Sequence, residues 1–395
     1  KNQYLGRNKT YKKHNMIDGT IFIAGAGGIG RAAALLLETN KSLNARIIIG
    51  DIQKTQLTDC LDWVKKGNPT TQVETFEMST TSDEKLKEVL TQCDVLLDCL
   101  PGSFAPKMAR LALERNAHYA NLTEYVKETE EIAALAKDAR TGFVLQTGLA
   151  PGYINILALK LYDNFVRDFG GNQVKKMQMK VGALSKNALA PHHYAFTWSP
   201  VGVATEYVKD AIIVRNNKRV LVPALSGRNL ITIDGIVYED NFTSGGAANI
   251  PAALADKITN IHYKTLRYPG HYKWVEKTLN KLPISENRID KLTQIMLDKI
   301  PIVDEDVVII YASVMGKDNQ GFLRSYEKSL KILPMQIGNQ TLRAIQSTTA
   351  SALCEMAYYL LTQEKSGVIY QTDIDKEAFL NGPFVSSVYG SYTEA

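Results

Sequence analysis

The 395-residue sequence predicts an α/β protein: a Rossmann-type, doubly wound parallel sheet followed by an α+β domain with a mixed or antiparallel sheet. Three observations carry this. Short aliphatic runs alternate with helical patterns as far as residue 148. A glycine cluster, GAGGIG (25–30), stands where the first run meets the first helix. After residue 150 the runs lengthen and are joined by hairpin signals. Unbroken aliphatic strands are expected where helices cover both faces of a sheet. Strand–helix alternation with short connections implies parallel strands and right-handed crossovers.

In chain order, the strand candidates of the first part are 20–25, 46–51, 73–78, 94–101, 118–123 and 142–148. Helical patterns fill 31–39, 53–66, 82–92, 104–115 and 127–140. A further helix follows Pro151-Gly152 over 153–166. Two hairpins come next, one turning at Asn216-Asn217 and one at Asp234-Gly235, both turn formers that tolerate positive φ. Residues 306–317 and 321–333 read as another antiparallel pair. The long helical pattern 341–361 is expected to return toward the first domain. The resulting division is a basic arm (1–15), an α/β domain (16–150) and an α+β domain (151–340), with 341–395 packing back on the α/β domain.

Glycine at a strand-to-helix junction points to a ligand. Gly25 permits the tight turn, Gly27 lets backbone N–H groups approach a pyrophosphate, and Gly30 lets the helix pack close to the strand. Gly28 and Ile29 open the helix, whose unpaired N–H groups and dipole favour negative charge. About 20 residues past Gly30 the second strand ends in Asp51, placed to accept from both ribose hydroxyls and to repel a 2′-phosphate. Ile52 beside it offers no cation. NAD is therefore expected, with NADP the lesser expectation. The fourth strand runs into Cys99-Leu100-Pro101-Gly102, and Leu100 and Pro101 are expected near the nicotinamide, because ligands collect at the carboxyl ends of such strands.

Bulk properties exclude other classes. Hydrophobic residues make up 45% and charged residues 22%, as in ordinary globular proteins. No apolar run reaches the roughly 18 residues of a bilayer span. The net charge of +5 equals the five cations of the arm (Lys1, Arg7, Lys9, Lys12, Lys13), so nucleic acid is not an expected partner. The four cysteines show neither CxxC nor metal-ligand spacing, which argues against a structural metal and fits a reducing cytoplasm. GxSxG, HExxH and Walker patterns are absent.

Three stretches of the second half mix aromatics, hydroxyls and cations with Pro or Gly: 192–200, 241–246 and 264–271. They are expected to be site-building loops. Arg267 offers a planar fork for a carboxylate. His193 and His271 are candidate proton carriers, although each taken alone reads more readily as a satisfied structural residue. Thr243-Ser244-Gly245-Gly246 is either a simple turn or a nest of N–H groups for an anion.

Assembled, these pieces resemble the saccharopine dehydrogenase-like family, and within it the lysine 6-dehydrogenases (L-lysine ε-dehydrogenases). FIAGAGGIGR, IIIGD, QTGLAPGYINILA (146–158), YAFTWSP (194–200), TSGG, YKTLRYPGH (263–271) and STTASALCEM (347–356) occur in the family's order. The resemblance implies a dinucleotide-binding domain (16–150) and a substrate-binding and dimerisation domain (151–340) whose reactive groups meet in the cleft between them, in a homodimer or higher even homo-oligomer. By it, Gly148 lies beside the nicotinamide, while Tyr153, Asn155, Thr197, Trp198, Thr243, Ser244 and Arg267 serve the substrate. His193, His271 and Glu124 are candidate bases. Relatives often carry an acid where this chain has Asn121, so Glu124 is a possible substitute. The implied reaction is NAD-dependent oxidation of an amino-acid CH–NH bond, foremost the ε-amine of lysine. The alternatives are a saccharopine or carboxynorspermidine dehydrogenase, and an NAD-binding regulatory protein without chemistry.

Overall fold

The first six strands are β1 (Ile17–Ala24), β2 (Leu43–Asp51), β3 (Glu74–Glu77), β4 (Val95–Asp98), β5 (His118–Asn121) and β6 (Gly142–Val144). The computed structural model describes residues 17–170, 174–186 and 188–393; the arm expected at 1–15 lies outside the described residues. The second sheet is built from β7 (Val174–Leu184), β8 (Ala211–Arg215), β9 (Lys218–Val222), β10 (Asn229–Ile233), β11 (Ile236–Phe242), β12 (Asn260–Arg267), β13 (Val307–Lys317) and β14 (Leu323–Ile332). A small hairpin, β15 (Met335–Ile337) and β16 (Gln340–Leu342), and a last strand, β17 (Gly367–Ile369), complete the set.

The first sheet has the order β17-β6-β5-β4-β1-β2-β3, and every pair in it is parallel. Its order reverses at β1/β4, which opens a crevice at the carboxyl ends of those two strands. Both faces are covered, which explains the aliphatic runs. Phe22, Leu96, Tyr119 and Phe143 pack under the helices Ala105–Glu114 and Val126–Leu135. Ile21, Ile23, Leu97 and Val144 point the other way, toward the helices Gly28–Thr39 and Ala344–Thr362. The latter, the long pattern near the C-terminus, lies against the glycine-cluster helix and against β1, β4 and β5.

The second sheet runs β10-β11-β12-β7-β13-β14, with β8 pairing both β12 and β9. β12 and β7 are parallel, and the other neighbours are antiparallel. The helix Tyr153–Phe169 covers its inner face, where Met177, Met179, Val181 and Ile310 join the same apolar core that lies beneath the first sheet. Both hairpins turn at the expected dipeptides, with φ of 51° and 59° at Asn216-Asn217 and 49° and 75° at Asp234-Gly235. Two expectations are corrected. Of the loop expected at 241–246, Asn241 and Phe242 are the end of β11. Residues 264–267 are the end of β12, inside the sheet, and His271 opens a helix (His271–Leu279); only Tyr268-Pro269-Gly270 is a turn. The polar pattern there reflects buried hydrogen bonding, not solvent.

Candidate active site

A cleft of about 700 Å³ opens between the two sheets at the carboxyl ends of β1, β4 and β5. Its cofactor-side wall contains Gly28, Ile29, Leu100, Pro101 and Gly148. The turn at its base is set by two features. Gly25 has φ +103° and donates its N–H to the Gly50 carbonyl at 2.7 Å. A Cβ at Gly30 would lie 1.9 Å from the Gly25 carbonyl oxygen, so only glycine lets the helix close on the turn. Gly27 is the opposite case. It is exposed, and a Cβ there would meet nothing within 4 Å. The fold itself does not require that glycine, and bare backbone at an open helix start leaves room for a diphosphate.

Asp51 ends β2 with Oδ2 accepting from Ala26 N at 2.9 Å and Oδ1 from Gln53 N at 3.0 Å. The carboxylate thus ties the second strand to the glycine turn and, half-buried, keeps lone pairs for a sugar. Ile52 is exposed beside it. These residues fit a dinucleotide.

Asn121 ends β5 in register with Asp98 of β4. Burial pushes the Asp98 carboxyl up to about 6, while hydrogen bonds from Tyr119 and the Leu100 N–H pull it back. Asn121 donates to the Tyr119 hydroxyl at 3.3 Å and accepts from Gln146 N at 2.9 Å. A carboxylate at 121 would add a second buried negative charge beside Asp98. The amide avoids that, and it braces the sheet rather than facing the cleft.

The acids that do face the cleft are Glu124, on the loop after β5, and Glu206, on the helix Pro200–Val208. Glu206 is 5% exposed, and its carboxyl is pushed up to about 7 by burial, against the pull of Arg267. Glu124 is half-buried and raised well above the usual carboxylate range by burial and by the charge of Glu206, with Lys209 opposing. The TSGG loop backs this pair. Ser244 N donates to the Glu206 carbonyl at 3.2 Å, and a Cβ at Gly245 would meet Glu124 Cβ at 2.9 Å. Thr243 is buried, sharing a 2.6 Å hydrogen bond with Thr265.

Arg267, 1% exposed, closes the inner end. Its Nε donates to Tyr207 Oη at 2.7 Å and its Nη1 to the Leu266 carbonyl at 2.9 Å, while the rings of Tyr194 and Tyr207 lie 4.8 and 5.6 Å from its guanidinium carbon. Its Nη2 stands 3.7 Å from Glu206 Oε2. Arg267 Nη2, Glu206 Oε2 and Thr197 Oγ1 are buried with no hydrogen-bond partner among the described residues. Polar atoms are seldom left so unless a ligand or water completes them. Trp198 lines the cleft beside Thr197.

Besides Asn121, Thr243 and Ser244, four more of the residues expected to serve catalysis or the substrate lie off the cleft wall. His271 is fully buried between the Tyr207 hydroxyl (3.0 Å from Nε2) and the His192 carbonyl (2.7 Å from Nδ1). Burial and Arg267 hold it down to about 3, so it stays neutral and orients Tyr207. His193, at φ 48°, rests against Gly270 outside the cleft wall. Asn155 is consumed by Gly152 N (2.8 Å) and the Gly246 carbonyl (3.1 Å). Tyr153 stacks on Tyr389 in the core, ring centroids 3.6 Å apart. Glu206, Tyr207 and Arg343 were not among the expected residues. An acid inside the apolar run VGVATEYV is the one signal that marks Glu206.

Residues 21–145 match the family profile described as "Saccharopine dehydrogenase NADP binding domain", and residues 148–383 match "Saccharopine dehydrogenase C-terminal domain". Alpha-aminoadipic semialdehyde synthase of Arabidopsis thaliana is 24% identical over 239 residues, covering 56% of this chain and 21% of that protein. The mitochondrial alpha-aminoadipic semialdehyde synthase of Bos taurus is 24% identical over 202 residues, covering 48% of this chain and 21% of its own. The chain therefore spans about a fifth of the length of these curated relatives. Among solved structures, saccharopine dehydrogenase (L-Glu forming) from Saccharomyces cerevisiae is similar with a TM-score of 0.71 at 14% identity, covering 94% of this chain and 98% of that one. Homospermidine synthase from Legionella pneumophila, in complex with NAD, has a TM-score of 0.66 at 14% identity, with 96% and 92% covered. By profiles that run across both of its sheets, the chain belongs to the saccharopine dehydrogenase family of oxidoreductases.

Proposed function

We propose that the chain is an NAD-dependent oxidoreductase acting on the CH–NH bond of an amino acid, with the ε-amine of lysine as the group oxidised. One observation carries the reading. At the inner end of the cleft a buried guanidinium with a free Nη2 stands beside two acids, so the site offers one carboxylate position and one ammonium position. An amino acid with a distal amine has those two groups. NAD, when bound, supplies the hydride acceptor. Gly27, Gly28 and the helix N-terminus would hold its diphosphate, and Asp51 its ribose. Arg267 and Thr197 would hold the α-carboxylate. One of the two cleft acids would draw a proton from the ammonium, because only a neutral amine can push out hydride from its carbon. Loss of hydride leaves a C=N bond; water adds to it, and ammonia departs to leave the semialdehyde. Alignment in the cleft supplies much of the acceleration.

A cofactor-reduction screen tests this. Absorbance growth at 340 nm is expected with lysine and NAD. No growth across lysine, ornithine and related amines, together with tight NAD binding, would instead identify a regulatory protein. A second reading has its own support. Arg343, whose ion pair among the described residues is a loose 3.7 Å contact with exposed Asp304, also lines the cleft and would suit an extra carboxylate. That favours a saccharopine- or carboxynorspermidine-forming reaction, in which amine and aldehyde condense and are reduced. Incubating lysine semialdehyde, glutamate and NADH and analysing the product separates the two.

A further inference from the structure

Glu124, Tyr125 and Glu206 line a second cavity as well as the cleft. This rear cavity holds about 320 Å³ and is bounded by Lys209, Asp210, Leu221 and Ser244. Three residues thus form the partition between the candidate substrate site and a space whose rim, at Lys127, Glu130, Lys209 and Asp210, is exposed. The partition is acidic at its centre and cationic behind: Lys209 sits 4.8 Å above the Tyr125 ring. Glu206 Oε2 is buried without a hydrogen-bond partner among the described residues.

We infer that Glu206 and Glu124 together hold the proton withdrawn from the substrate ammonium and release it to solvent through the rear cavity. This rests on the amine-oxidation reading and assigns Glu206 as a further catalytic residue within it. The transfer is balanced. The ammonium N–H bond breaks, its electron pair stays on nitrogen, and an O–H bond forms on Glu206. The proton then passes to Glu124 and to water behind it, so the pair returns to its starting charge before the next turnover.

The surroundings permit this. Glu206 faces Arg267 on β12 and Glu124 on the loop after β5, with the phenols of Tyr194, Tyr207, Tyr263 and Tyr272 packed around it. Glu124 faces Lys209 at the end of the helix that carries Glu206. Two acids and two cations make the neighbourhood neutral when both acids are ionised. Burial and mutual repulsion favour taking up one proton near neutrality. Ser244, donating to the Glu206 carbonyl, and Gly245, against Glu124, hold the two in place.

The first test needs no substrate. Infrared difference spectra of the ligand-free protein, titrated from pH 5 to 9, should show a protonated-carboxyl component that disappears near pH 7, persists in Glu355→Gln and is missing from Glu206→Gln. Disappearance below pH 5 overturns the proposal whatever the substrate proves to be. A chain that oxidises no amine yet titrates near 7 leaves the proton-holding pair standing and removes the function proposed above. In turnover, kcat should rise with pH through the same value. Glu206→Gln should lower kcat by roughly 10²–10⁴-fold and flatten that limb; a raised KM with the limb unmoved would mean a structural role only. Lys209→Met, which removes the cation behind the pair, should move the limb to higher pH. Leu221 is 67% exposed at the rear rim, so Leu221→Trp should leave the melting temperature alone while lowering kcat and enlarging its solvent deuterium effect. Unchanged kcat and isotope effect would remove the rear exit.

Discussion

At the scale of single residues, Asp51 does two jobs with one carboxylate. Its oxygens already hold Ala26 N and Gln53 N, so it shapes the glycine turn besides standing at the proposed ribose site. Asp51→Asn puts an NH₂ group against one of those N–H donors and removes the charge. A charge-assisted hydrogen bond contributes about 1.5–3 kcal/mol, so the KM for NAD should rise roughly ten- to a hundredfold. Asp51→Arg should raise it too and improve NADP use, and an unchanged NAD/NADP preference would end the NAD assignment. Arg267→Lys keeps a charge but loses the fork that reaches Tyr207 and the cleft at once. It should cut kcat/KM for the amino acid by about 10²-fold or more while the affinity for NAD, measured by calorimetry, stays the same. The residues legible in sequence were those whose chemistry is local. Glycines at a junction, an acid at a strand end and an arginine among aromatics keep their meaning wherever the chain folds. His271 and Asn155 were not legible, because their roles depend on remote partners: Asn155 donates to the Gly246 carbonyl, 91 residues away. Glu206 was missed because an isolated acid in an apolar helix shows no pattern until Arg267 and Glu124 are brought to it.

At the scale of elements, the turn between β1 and its helix separates folding from binding. Gly27 has φ −71°, which any residue adopts, and open space at its Cβ position. Gly27→Ala should therefore leave the melting temperature within about a degree and still abolish NAD binding, because the methyl occupies the diphosphate's approach. Gly30→Ala drives a methyl into the Gly25 carbonyl and should destabilise the fold by about 1–3 kcal/mol, the usual cost of overpacking. Thermal melts with and without NAD distinguish the two, and equal behaviour would contradict the proposed seat of the diphosphate. The elements that form by local rules were readable: the first six strands, their helices, and two hairpins with positive-φ turns. β7, β12 and β17 were less so. β7 mixes Lys176, Gln178 and Lys180 into an apolar run, because one face of that strand carries polar groups. Asp240 pairs with Lys180 and Lys264 there, although all three side chains are buried. β17 is a three-residue edge strand, joined to β6 after more than 200 intervening residues, and no local signal specifies that pairing.

At the scale of the whole molecule, buried titratable groups set opposing slopes of stability against pH. Burial holds His262 and His271 down to about 3 in the folded state, whereas an unfolded histidine titrates near 6.5. Between those values the unfolded chain binds more protons, so each histidine costs stability as pH falls, by at most about 1.4 kcal/mol per pH unit. Five carboxyls act the other way, Glu124 and Asp306 among them. Burial raises Asp98 to about 6, and Glu206 and Glu355 to about 7, above unfolded values near 4. From pH 7 to about 4.5 the folded chain takes up those protons first, and stability gains. The two sets offset each other across that window. Below about pH 4 the carboxyl gain is complete while the histidine cost continues, and Asp168, held down to about 2 by Arg167 and Tyr326, begins to lose its bonds. The melting temperature should therefore be nearly level from pH 7 to 4.5 and fall steeply below 4. Glu355→Gln provides the check on cause. Its side chain accepts from Phe384 N at 2.8 Å and Val385 N at 3.1 Å, which an amide oxygen can also do. That variant should be as stable as the parent or more so at pH 8, and should lose stability on acidification from pH 7 to 5, where the parent does not. A parent protein whose melting temperature already declines steadily from pH 7, or a variant that follows it at every pH, would mean that these buried groups do not set the acid response.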